Sequence, residues 1–223
     1  NNGDGTFSDV TAHAKVDNGE LVGAGACFLD MDADGDLDLY AANYIDFDPS
    51  QNVQRTFKGY PSYPSPRDFY PVPDTLFRNE GDGTFTDVSE SSGVSQIAGT
   101  GMGMVCIDGD NDGDTDIFVL NDFGENFYFE NDGTGVFEEA AVLVGLAYNA
   151  FGLENASMGV DSGDIDNDGL IDFFMTCYQN EYTVLYRNIG GGNFEDISQL
   201  SQAGPPAYAY VNWGANIVDF DND

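Results

Sequence analysis

Four segments of this 223-residue chain align on one frame, in which a Gly stands five positions before the first Asp of an acidic loop. The pairs are Gly25 and Asp30, Gly103 and Asp108, Gly159 and Asp164, and Gly214 and Asp219. Each complete loop leads into an apolar run (37–42, 117–120, 171–176) and then a second run (76–79, 127–131, 184–188). A Gly-rich turn follows and delivers Phe85, Phe137 or Phe194. Residues 1–7 repeat that turn and predict the last strand of an earlier copy. Self-similarity at a fixed period is the signature of a repeat architecture.

Each unit therefore reads as four short strands in about 55 residues, with one longer spacing caused by an insertion. Short strands separated by frequent turn signals predict an all-β chain. A β-solenoid or a linear array of small sandwiches would share the alternation. The four-strand period favours a β-propeller of four-stranded antiparallel blades, whose radial packing hides the sheet edges. The predicted layout is an outer strand of a preceding blade (1–16), then a blade over 22–92 with a long insertion at 44–74. Blades over 100–142 and 156–200 follow, then an inner strand and truncated loop over 210–223. The expectation is part of a larger, seven-bladed ring in a longer parent protein.

The loops carry the chemistry. In the first, carboxylates fall at Asp30, Asp32, Asp34 and Asp38; in the second, at Asp108, Asp110, Asp112 and Asp116. The third offers Asp164, Asp166, Asp168 and Asp172, and a fourth begins at Asp219, Asp221 and Asp223. These are positions 1, 3, 5 and 9 of a loop with Gly at position 6. Alternate residues of a tightly curled loop point inward, and the Gly permits the sharp turn. Position 7 is held by Asp36, Asp114 and Leu170, so it can offer a metal only its carbonyl.

Without a cation such crowding is costly. Two carboxylates ~5 Å apart repel by ~0.8 kcal/mol even in water. Four of them, six pairs, cost about 5 kcal/mol per loop before salt screening. All-oxygen ligation selects a hard cation, and calcium tolerates irregular, ligand-rich geometry better than magnesium. The predicted cofactor is Ca2+, with three complete sites and a fourth cut short. An EF-hand is rejected, because position 12 is Ala41, Val119 or Met175 inside a β-type run rather than a Glu.

These loops, the Gly before them and the Asn-Gly-Asp-Gly-Thr-Phe turns resemble FG-GAP/VCBS repeats, which form the integrin α-subunit-like β-propeller. The string from Leu76 to Val88 and the following Gly101–Met104 look most like the ASPIC/UnbV, cartilage-acidic-protein-like branch. The resemblance spans essentially the whole chain. It implies calcium on the loop aspartates and a secreted or surface protein used in adhesion or recognition.

Composition agrees on what is excluded. Six Lys+Arg against 40 Asp+Glu give a net charge of −34. That field repels nucleic acid and anionic membranes, and no run approaches the ~18 apolar residues of a membrane span. Three cysteines, Cys27, Cys106 and Cys177, lie in apolar runs and are read as free, buried thiols.

Up-and-down strands put the acidic loops and the Gly-rich turns on one face. The long connections 44–74, 140–156 and 198–211 fall on the other. The 44–74 segment holds six of the eight prolines, Tyr60, Tyr63, Phe69 and Tyr70, and half the basic residues, Arg55, Lys58 and Arg67. It is either a contact for a protein or glycan ligand or a flap packed on its blade. His13 is read as a surface residue and Trp213 as core. Asn155-Ala-Ser157 fits a glycosylation acceptor, and Asp161 is either a support for the loop after it or a solvated acid.

The expected function is a non-catalytic, calcium-binding extracellular module. The alternatives are a self-associating subunit of a fibre or matrix, or a scaffold attached to a hydrolase or lyase. One His and the lack of any Ser or Cys nucleophile motif argue against catalysis.

Overall fold

The computed structural model describes residues 1–50 and 53–220. It is all-β, with three four-stranded antiparallel sheets and one two-stranded hairpin. A one-turn helix, α1 (Thr11–Ala14), precedes the first sheet. That sheet opens with β1 (Gly23–Leu29) and β2 (Asp38–Asn43). After the separate hairpin of β3 (Arg55–Phe57) and β4 (Tyr60–Ser62), β5 (Thr75–Asn79) and β6 (Phe85–Asp87) complete it. Helix α2 (Ser89–Ser92) leads to the second sheet, β7 (Gly101–Ile107), β8 (Asp116–Asn121), β9 (Phe127–Asn131) and β10 (Phe137–Glu139). Helix α3 (Ala141–Val144) leads to the third, β11 (Ser157–Gly163), β12 (Asp172–Cys177), β13 (Val184–Asn188) and β14 (Phe194–Asp196). Within every sheet the strands lie side by side in chain order, as propeller blades require.

The core lies between the blades. Strand β8 is buried along its whole length because its two faces serve two cores. Ile117 and Val119 join Tyr40, Leu76 and Phe129 between the first two blades. Phe118 and Leu120 join Phe173, Met175 and Tyr186 between the second and third. Side chains alternate across a strand, so one continuous apolar run feeds both.

The inner strands of successive blades run close together, and this explains the Gly of the repeat frame. A Cβ on Gly103 would stand 2.4 Å from the Met158 carbonyl oxygen, and one on Gly159 would stand 2.0 Å from that of Trp213. Neither position has room for a side chain. The same proximity overturns the free-thiol reading for two cysteines. Cys27 on β1 and Cys106 on β7, 79 residues apart, form a disulfide with Cα atoms 6.6 Å apart. Sequence spacing could not show this, because radial stacking and not chain proximity brings the strands together. Cys177 is free and buried.

Both terminal segments depart from expectation. Residues 1–16 form no strand: the turn closes with Asn2 N donating to Thr6 O at 2.9 Å, and α1 follows. The predicted inner strand from residue 210 onward is likewise absent among the described residues. That segment still runs beside β11, where Thr176 Oγ1 donates to Trp213 O at 2.6 Å and Ile217 N donates to Asp161 Oδ2 at 2.6 Å. Asp161 therefore holds the next segment in place rather than serving the acidic loop. A strand needs a continuous backbone ladder, and here one backbone bond, Asn212 N to Cys177 O at 3.2 Å, gives way to bonds made by side chains.

The 44–74 insertion divides in two. Its later part packs down: Phe69 meets Phe47 with ring centroids 5.7 Å apart, and Val72 bridges to Gly99. Its β3–β4 hairpin leaves Phe57, Tyr60 and Tyr63 exposed. No helix among the described residues is long and apolar enough to cross a membrane.

Candidate metal centres

Each acidic loop joins the first two strands of its blade, and its last Asp opens the second strand. The structure brings together positions 1, 3 and 9 in all three complete loops: Asp30, Asp32 and Asp38; Asp108, Asp110 and Asp116; Asp164, Asp166 and Asp172. In each triad the carboxylate oxygens lie within 4.8 Å of one another. The backbone makes this possible by turning left-handed twice, at position 4 (Ala33, Asn111, Asn167) and at the Gly of position 6. Position 1 then caps the turn, with Asp30 accepting Asp34 N and Gly35 N, both at 3.1 Å. Asp108 and Asp164 repeat the pattern.

Position 5 stands outside the triads. Asp34, Asp112 and Asp168 each accept the amide of position 7 at 2.8–2.9 Å, which leaves their second oxygen without a donor among the described residues. At position 7 the Asp36 and Asp114 side chains turn toward Gly81 and Gly133 of the adjacent turn. Leu170 shows that this direction needs no charge. Of the fourth loop only Asp219 is described; Asp221 and Asp223 lie outside the described residues.

The FG-GAP-like repeat family matches residues 67–119, 108–175 and 164–223. The chain belongs to the FG-GAP-like repeat family. It is also similar to cartilage acidic protein 1 from Xenopus tropicalis, 27% identical over 164 residues, which is 68% of this chain and 24% of the relative. The human protein of the same name is 27% identical over 159 residues, 68% of this chain and 23% of its own length. The chain thus spans about a quarter of the curated relatives it matches.

In these FG-GAP repeats position 9 is the most constrained ligand candidate. Asp38, Asp116 and Asp172 are almost fully buried, and each accepts two backbone amides. One comes from loop position 2 and the other from an Asn at the end of the third strand: Asn79, Asn131 or Asn188. That Asn is the functional residue the sequence reading missed. Its side chain also ties the blades together, with Asn131 Nδ2 donating to Met31 O and Asn188 Nδ2 to Gly109 O, both at 2.8 Å. The signal was available, since an Asn recurs at one register in every copy.

The electrostatics describe acids short of positive charge. Burial raises the carboxyl of Asp38, with Asp32 and Asp34 adding repulsion. Burial likewise raises Asp116 and Asp172. Asp110 is pushed up to about 6, first by burial and then by Asp116 and Asp112. Asp32 Oδ1 is buried with no hydrogen-bond partner among the described residues. A buried orphan oxygen in an all-carboxylate triad fits a hard divalent cation. The loops differ in one neighbour: Arg78 and Arg187 occupy a third-strand position that Glu130 fills in the second blade, beside Asp110 and Asp112.

Other expectations resolve here. His13 is exposed. Asn155 is buried, and its side chain bonds Asn149 at 2.9 Å, so it offers no glycan acceptor in the folded chain. Trp213 is 60% exposed rather than core: it is the backbone carbonyl, accepting Thr176 Oγ1 at 2.6 Å, that meets the third blade.

Proposed function

We propose that this chain is a calcium-stabilised binding module of an extracellular protein, with no catalysis of its own. The observation that carries the reading is a carboxylate triad repeated in three successive blades, with Asp32 Oδ1 left unsatisfied in one of them. Calcium would neutralise each triad, and position 5 and the carbonyl of position 7 would complete an oxygen-rich shell. The ion would fix the first turn of each blade, so that the opposite face keeps its shape for a protein or glycan partner. The disulfide between Cys27 and Cys106 supports an oxidising compartment, and relatives named for cartilage fit that setting.

Thermal unfolding tests the calcium claim. Millimolar calcium should raise the Tm of the wild type. Replacing Asp110 and Asp112 together with Ala should remove part of that rise and change little in chelator, because the repulsion relieved offsets the hydrogen bonds lost. An equal loss under both conditions would count against ligation.

A further inference from the structure

The face opposite the acidic loops carries a cleft of about 600 Å3, within the usual range of small-ligand sites. Three blades and the insertion build it. Tyr44, Asp122 and Tyr178 follow the second strand of the first, second and third blades, and Met102 and Met158 come from inner strands. Trp213 forms one side, and the insertion delivers Arg67.

The hydrogen-bonding groups are held but unfinished. Asp122, 6% exposed, accepts the Tyr44 hydroxyl on Oδ2, a bond between two blades. Glu181 Oε2 accepts Ala156 N at 2.8 Å. No donor among the described residues reaches Asp122 Oδ1 or Glu181 Oε1. Arg67 stacks on the Phe123 ring, 4.2 Å from its centroid, and makes no ion pair among the described residues. It lies near enough to act electrostatically on both carboxylates. The cleft therefore offers a planar set of N–H donors, two free acceptor oxygens and exposed aromatic rings at Trp213 and Tyr178.

We propose that this cleft binds a neutral oligosaccharide. A pyranose ring presents a C–H face that packs on an aromatic ring, and hydroxyls that donate to carboxylates and accept from a guanidinium. An anionic ligand would meet two carboxylates on a chain of net charge −34, and a cationic one would meet Arg67. Ligands with paired donors and acceptors and no net charge satisfy both constraints. The inference deepens the reading of this face as the binding face and names its ligand class.

Trp213 is the chain's one tryptophan, so its emission reports the cleft directly. The whole chain, in calcium, is titrated with cellotriose, xylotriose, mannotriose, maltotriose and N-acetylchitotriose, with a tri-uronate and spermidine as charged probes. The expected result is a saturable change in emission with at least one neutral trisaccharide. Arg67→Met and Asp122→Asn should each weaken it by about tenfold or more, while Tm stays near wild type. Silence from every neutral probe, saturation by a charged probe alone, or a sugar response that both variants keep unchanged would overturn the proposal. Calcium-induced Tm shifts measured on the same samples separate this outcome from failure of the metal reading, which would abolish those shifts and leave the sugar result to stand by itself.

Discussion

The acidic side chains set how this molecule answers to pH, and the sign follows from their environment. Asp110 in the second loop and Asp74 at the end of the insertion are both pushed up to about 6, chiefly by burial. Asp74 keeps its place by accepting the Tyr40 hydroxyl at 2.5 Å and Asn43 N at 2.7 Å. An acid raised in the folded state binds its proton more tightly there than in the unfolded chain. Its contribution to stability is fully present below the unfolded value near 3.8 and is lost as pH rises through about 6. Acids held low, such as Asp82 and Asp132, act only below that window. Metal-free protein should therefore show a rising Tm as pH falls from 7 to 5. If the proposed calcium sites are filled, protein in excess calcium should show the reverse, since protons displace the ion. Asp110→Asn should flatten the metal-free slope, and calorimetry in both buffers checks the pair of signs.

Among the elements, the inner strands are the ones whose sequence is dictated by a neighbour rather than by their own ladder. Position five before each loop is Gly in every copy, yet the structure gives those glycines different surroundings. A Cβ at Gly103 would meet backbone at 2.4 Å, whereas one at Gly214 would meet nothing within 4 Å. Gly103→Ala should cost about 2 kcal/mol or more, because backbone must move to admit the methyl. Gly214→Ala should change stability by about 0.5 kcal/mol or less. Denaturant unfolding of the two variants side by side makes the comparison. The one-turn helices α1, α2 and α3 each follow the turn and last-strand segment at the same register. They are too short for any helical period to announce them, so α1 falls inside the predicted outer strand 1–16, α2 inside the predicted blade 22–92 and α3 inside the connection 140–156.

The whole molecule behaves as a stack of blades, so its weak points are the joints between them. The disulfide closes a loop of 79 residues across the first joint. Chain-entropy arguments give about 4 kcal/mol for such a loop. Replacing Cys27 and Cys106 together with Ala should lower stability by about 2–5 kcal/mol in oxidising buffer. Reductant should destabilise the wild type and leave the double variant unchanged, and equilibrium unfolding with and without reductant reads this out. The second joint has no such bond and depends on the aromatic cluster of Phe118, Phe173 and Tyr186. The exposed β3–β4 hairpin belongs to neither joint and is tied to the rest of the insertion by the Arg55–Asp68 ion pair.

Local patterns in the chain were enough to determine the all-β class, the four-strand unit and the loop aspartates from which the structure draws positions 1, 3 and 9 together. Alternation and loop spacing are properties of neighbouring residues, and they survive in any faithful reading of the sequence. Tertiary structure alone decided the Cys27–Cys106 pairing, the inter-blade reach of Asn131 and Asn188, and the meeting of Arg67, Asp122 and Glu181 in one cleft. Each of these joins residues from different blades, and the angle at which one sheet packs on the next is set by side chains filling the space between them, which no single repeat contains.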